Sequence, residues 1–117
     1  MYQTKITEIG NLVEEFREEV LLVLFGPKVP PELKDISVIH ESNKEPKDIF
    51  TQNGKIKIGN QVYTITKVGT EANKNFESLG HISIYFREGE NEVLPGAINV
   101  TPQVFPELQV GNTIDIY

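Results

Sequence analysis

Two histidines are the side chains in this sequence best suited to group-transfer chemistry. His40 closes the run "DISVIH" and His81 opens "HISIYF". There is no cysteine, so thiol nucleophiles, thiolate metal sites and disulfides are excluded. A neutral imidazole can attack an electrophile and form a covalent intermediate. Phosphorus is a suitable electrophile, because a phosphoramidate on histidine is labile enough to pass its group onward. The reaction needs an exposed, unprotonated ring nitrogen and a partner on the other nitrogen to set the tautomer. His40 lies where an apolar strand meets the polar stretch "HESNKEPKD", a position that predicts solvent access.

On spacing alone, a histidine placed like His40 is more often an ordinary packed or surface residue. For His81 the ordinary use is a hydrogen bond to a neighbour. The functional use is support: orienting His40, or donating to a phosphoryl oxygen. The spacing leaves open whether the two meet. Glu41 would raise the imidazole pKa and repel a phosphoryl group, but a regular strand turns it to the face opposite His40. Lys34 and Lys44 are the cations nearest His40 in sequence, and the Ser37 and Ser42 hydroxyls or loop N–H groups are further donors for phosphoryl oxygens.

Other chemistries lack their motifs. "GPKVPPELK" has neither the second glycine nor the GK[ST] ending of a phosphate-binding loop. There is no G-x-S-x-G elbow, and "HESNK" lacks the second histidine of H-E-x-x-H. A metal site would have to combine two scattered histidines with carboxylates. No metal or cofactor is expected.

The elements that must hold these residues are mostly strands. "YQTKITEI", "VLLVLF", "ISVIHE", "KIKI", "QVYTITKV", "HISIYF", "AINV" and "NTIDIY" make about seven or eight short strands with turn signals between them. "VLLVLF" is a continuous apolar run, as in a strand covered on both faces. "KIKI" and "QVYTITKV" flank Gly59-Asn60, a hairpin turn. "NLVEEFREEV" is a weak helical candidate. "TEANKNFESLG" is a better one, with Thr70 as N-cap, Gly80 at its end and Ala72, Phe76 and Leu79 as its apolar stripe. The pattern predicts a small, mostly antiparallel barrel or sandwich with one helix packed on it.

The chain of 117 residues reads as one domain spanning 1–117, and its net charge of −6 argues against a nucleic-acid partner. "MYQTKITEIG" lacks the apolar core of a signal peptide, and the longest apolar run is six residues. A cytoplasmic location, with no membrane insertion, is expected.

Four segments carry a family resemblance: "YQTKITEIG", "VLLVLFGPKVPPELKDISVIH", "YTITKVGTEANKNFESLGHISIYF" and "PGAINV". The "IH" after the Pro-rich turn and the pattern "VG..A..N...LGH....F" are the most specific. The chain resembles the glucitol/sorbitol-specific IIA component of the bacterial phosphoenolpyruvate-dependent sugar phosphotransferase system (PTS). The resemblance implies an all-β fold, a small closed Greek-key-like barrel of about six strands with one or two short helices. It implies that His40 accepts a phosphoryl group from phospho-HPr and passes it to a cysteine of the membrane-associated IIB partner, working with IIC in sugar-alcohol uptake. His81, in "LGH", would be the supporting residue. One departure is that "ESNKEPKD", the segment directly after His40, holds no further histidine, so no neighbouring histidine competes with it. Two other readings stand beside this one: a non-enzymatic binding or regulatory barrel, and a metal-dependent hydrolase built on the two histidines.

Overall fold

Alternation in the first strand sets one wall of the fold. Tyr2, Thr4 and Ile6 turn inward and are buried, while Gln3 and Lys5 face solvent. The computed structural model describes residues 1–89 and 91–117. Its strands are β1 (Tyr2–Ile9), β2 (Leu21–Phe25), β3 (Val38–Glu41), β4 (Lys55–Ile58), β5 (Gln61–Val68), β6 (Ile82–Phe86), β7 (Ala97–Thr101) and β8 (Thr113–Ile116). Two short helices, α1 (Pro31–Lys34) and α2 (Ala72–Leu79), and a 3₁₀ turn at Val13–Phe16 complete the regular structure.

The strands close into a barrel in the order β1-β3-β2-β6-β7-β5-β4-β8, with β8 returning to β1. The barrel has eight strands where the resemblance implied about six. The physical reason is that "KIKI" and "NTIDIY" form separate strands. They pair with each other, Ile56 opposite Ile116, and fill the gap between β5 and β1. Most pairs are antiparallel, as expected, but β2–β3 and β6–β7 are parallel. The β4–β5 hairpin turns at Gly59-Asn60, with Gly59 at φ 59°, a left-handed conformation glycine adopts without strain.

Isoleucines dominate the interior, among them Ile6, Ile56, Ile65, Ile84 and Ile98, all essentially inaccessible. Each such side chain stabilises the fold by about 1.5–3 kcal/mol relative to exposure. β2 is fully covered on one face only: Leu22 and Leu24 are buried and Val23 is half-buried.

The helical expectations need correction in detail. Of residues 11–20 only Val13–Phe16 are helical, because the segment has a run of glutamates and buries only Val13. In α2 the N-cap position is Glu71, not Thr70, and no side chain caps it. Ala72 and Phe76 are buried as the stripe required, but Leu79 is 45% exposed. Gly80 ends α2 at φ 67°, and its N–H donates to the Phe76 carbonyl. In the strand order β6-β7-β5, α2 carries the chain from β5 past β7 to β6. That crossover brings Phe76 and Gly80 to the end of β3.

Candidate functional site

The site is built on a cross-strand register. Ile6 of β1 stands opposite His40 of β3, so Thr4, two residues back on the same inward face, is the diagonal neighbour of His40. Thr4 Oγ1 lies 2.7 Å from His40 Nδ1. On the other side, His40 Nε2 lies 2.8 Å from the Gly80 carbonyl oxygen. The Phe76 ring stacks on the imidazole, with centroids 5.2 Å apart and planes 9° from parallel. Phe76 is itself held edge-on by Tyr2 and Phe50.

His40 is therefore only 3% exposed. This overturns the solvent access expected from its strand-end position: the polar loop does begin at Ser42, but Phe76 of α2 covers the imidazole. Burial pushes the imidazole pKa below its ordinary value, and the bond to the Gly80 carbonyl opposes this more weakly. The ring is neutral near neutral pH. A carbonyl oxygen can only accept, so Nε2 carries the proton and donates to Gly80, while Nδ1 accepts from the Thr4 hydroxyl.

The ring is not sealed. His40 lines a cavity of about 260 Å³ together with Tyr2, Phe76, Gly80 and the Gly26-Pro27-Lys28 turn. Two glycines permit this geometry. A Cβ on Gly80 would lie 2.7 Å from Gly26 N and 3.2 Å from His40 Nε2, and one on Gly26 would lie 2.8 Å from the Leu79 carbonyl. The Gly26 N–H donates to that carbonyl at 2.9 Å, fixing the end of α2 against the end of β2.

The cavity carries charge of both signs: Lys28 at its rim, with Glu41 and Glu77. Among the other side chains considered from sequence, Ser42 lines it, with its hydroxyl donating to the Gln3 carbonyl. Ser37 is buried and donates to the Leu33 carbonyl, and Lys34 pairs with Glu8 at 3.5 Å, both away from the cavity. Lys44 does not line it.

His81 is placed differently. It stacks on Phe25 with centroids 4.3 Å apart, and its Nδ1 lies 3.2 Å from the Leu24 carbonyl oxygen. It does not line the cavity that reaches His40. What joins the two histidines is the backbone: His81 follows the glycine whose carbonyl holds His40. Among the described residues, no three His, Asp or Glu side chains converge as a metal-ligand set.

Sequence reasoning missed Thr4, Phe76 and Lys28 as parts of this site. Thr4 alone carried a signal, as a polar residue on the inward face of an otherwise apolar alternation.

A family model for the PTS glucitol/sorbitol-specific IIA component matches residues 1–115. The chain belongs to this family. It is 30% identical over 115 residues to the PTS glucitol/sorbitol-specific EIIA components of Shigella flexneri and of Escherichia coli K12. In each case the match covers 97% of this chain and 92% of the relative. The crystal structure of a PTS IIA component from Enterococcus faecalis V583 superposes with a TM-score of 0.90 at 32% identity, covering 97% of this chain and 98% of that one. Family membership makes the chain a IIA component of a sugar phosphotransferase system, which works with other components of that system. Among its described residues, no helix is long and apolar enough to cross a membrane.

Proposed function

We propose that this protein is the cytoplasmic phosphocarrier of a sugar phosphotransferase system. In this reading His40 takes a phosphoryl group from phospho-HPr and hands it to a IIB partner, which serves a IIC membrane component in the uptake of a sugar alcohol. The observation that carries the proposal is a neutral imidazole at the wall of an open cavity, with hydrogen-bond partners at both ring nitrogens. A buried base with a depressed pKa keeps a lone pair available at neutral pH.

The transfer is a displacement at phosphorus. The N–P bond of the donor phosphohistidine breaks, its electron pair returns to the donor imidazole, and a new N–P bond forms on His40. No oxidant or metal is needed for that balance. The transition state is loose, so catalysis is mostly positioning and charge stabilisation. Lys28, at the cavity rim, supplies positive charge for the phosphoryl oxygens. His81 supports the site through the chain: its stack on Phe25 and its contact with the Leu24 carbonyl hold the Gly80–His81 segment against β2. Docking is transient, with an interface of roughly 1,200 Å² or less.

The experiment is phosphoryl uptake from phosphoenolpyruvate, enzyme I and HPr. Acid-labile, alkali-stable label appears on the wild type and is lost in His40→Ala. Normal labelling of His40→Ala sinks the proposal.

A further inference from the structure

We infer that the outer wall of the barrel at β5 and β7 holds a second ligand site, built around the buried carboxamide of Asn99, that takes a small neutral polyol. The site goes beyond the phosphocarrier reading and uses none of its residues.

In β7, Ile98 and Val100 belong to the core, so alternation turns Asn99 to the outside of the barrel. Asn99 is nevertheless only 2% exposed. A bulge sets its neighbours: the β5–β7 register shifts between Ile65 and Lys67, so Lys67 rather than Thr66 stands opposite Asn99. The Thr66 hydroxyl donates to the Asn99 backbone carbonyl at 3.1 Å. The Asn99 Nδ2 donates to the Glu92 carbonyl at 3.3 Å, and the Lys67 ammonium donates to the Asn91 carbonyl. The 91–92 segment is thus tied to both strands. Asn99 Oδ1, however, is buried with no hydrogen-bond partner among the described residues. A buried acceptor without a donor is costly, and native structures keep few of them. Turning the amide over does not help, because Oδ1 would then face the Glu92 carbonyl.

Asn99 lines a cavity of about 400 Å³ with Gln52, Asn53, Thr66, Lys67 and Asn91. That volume lies in the range of small-molecule sites. Four carboxamides stand on its wall, and a carboxamide both donates and accepts. No carboxylate lines it among the described residues, which argues against a divalent cation. An anion would meet the Asn99 oxygen. No aromatic ring lines it to stack a planar ligand. A polyol meets these conditions: one hydroxyl donates to Asn99 Oδ1 and its oxygens accept from the amides of Gln52 and Asn53. Oδ1 has no open surface, so the ligand reaches it as an exposed side chain of the wall, Gln52 or Asn53, turns aside. This cavity shares no residue with the one at His40. β5 is four places from β3 in either direction round the ring of strands, so an occupant leaves the His40 wall open.

The test is a titration of ¹⁵N-labelled protein with glucitol, a hexitol, followed by ¹H–¹⁵N spectra. Saturable shifts are expected in the Asn99, Gln52 and Asn53 side-chain amides and in the backbone at Thr66 and Lys67. Asn99→Leu keeps the volume, removes the acceptor and should weaken binding about tenfold, the equivalent of one hydrogen bond. His40→Ala should bind as the wild type does, whether or not the protein carries a phosphoryl group. Absence of saturable shifts overturns the inference and leaves Oδ1 to a solvent molecule. Saturation by inorganic phosphate but not by glucitol overturns it as well, and so does unchanged binding by a folded Asn99→Leu. If Asn99→Leu does not fold, intermolecular NOEs between glucitol and the Thr66 methyl group of the wild type decide: their presence supports the site and their absence overturns it.

Discussion

The carbonyl oxygen of Gly80 lies 2.8 Å from Nε2 of His40, although forty residues separate them. Gly80 is also the left-handed end of α2, and its Cα packs against Gly26. One residue thus terminates a helix, permits a close backbone approach and holds the imidazole.

Gly80→Ala should therefore damage stability and site together. The left-handed conformation alone costs a side-chain-bearing residue about 1–2 kcal/mol. The added methyl group also meets Gly26 N at 2.7 Å, which forces a shift of backbone. Chemical denaturation should show the loss, and the His40 ¹⁵N resonances should move. A variant with unchanged midpoint and spectrum contradicts the geometry.

The depressed pKa of His40 makes a signed prediction for pH. Between the folded value and the unfolded value of about 6.5 the unfolded chain binds the extra proton. His40 thus lowers stability as pH falls through this window and imposes no such cost above it. The wild type should lose stability on acidification from pH 7 to 5, and His40→Gln should show a shallower slope. Equal slopes in urea melts across this range would remove the claim.

Phe76 is both core and lid. Phe76→Ala should cost about 3–5 kcal/mol, because the ring is 1% exposed among Tyr2, Phe50 and His40. Phe76→Leu is milder and more informative. It keeps most of the apolar volume but removes the stack, so water reaches the imidazole and its pKa should rise towards the ordinary value. NMR titration of His40 reads this directly.

Lys28 stands exposed on the cavity rim. Lys28→Glu should slow phosphoryl uptake by roughly tenfold or more while leaving the unfolding free energy within about 0.5 kcal/mol of wild type. The defect should show in the rate of association and shrink at high salt, since an exposed charge is screened. A salt-independent rate equal to wild type would place phosphoryl binding away from this rim.

Much of the frame was legible from local pattern. Alternation along "YQTKITEI" and "HISIYF", the Gly59-Asn60 hairpin and Gly80 as the stop of α2 all follow from rules that act over a few residues. The strand count was better read from turn spacing than from family likeness, because β4 and β8 are only four residues each. Thr70 misled as a helix cap: Ser, Thr and Asp signal a helix start only when the backbone places them at the cap, and here the chain turned one residue later.

By itself the sequence determined the strand-rich class, the chemistry left open by the absence of cysteine, and the position of His40 at the end of a strand. Thr4, polar on an otherwise apolar face, was a signal that the sequence reading left unused. Only the tertiary structure decided that His40 is buried, that Thr4 and Gly80 hold its two nitrogens, and that His81 faces elsewhere. The reason is range. Strand and turn preferences are set by neighbours in the chain, whereas the environment of His40 is set by barrel closure and the α2 crossover, which join residues 4, 40, 76 and 80.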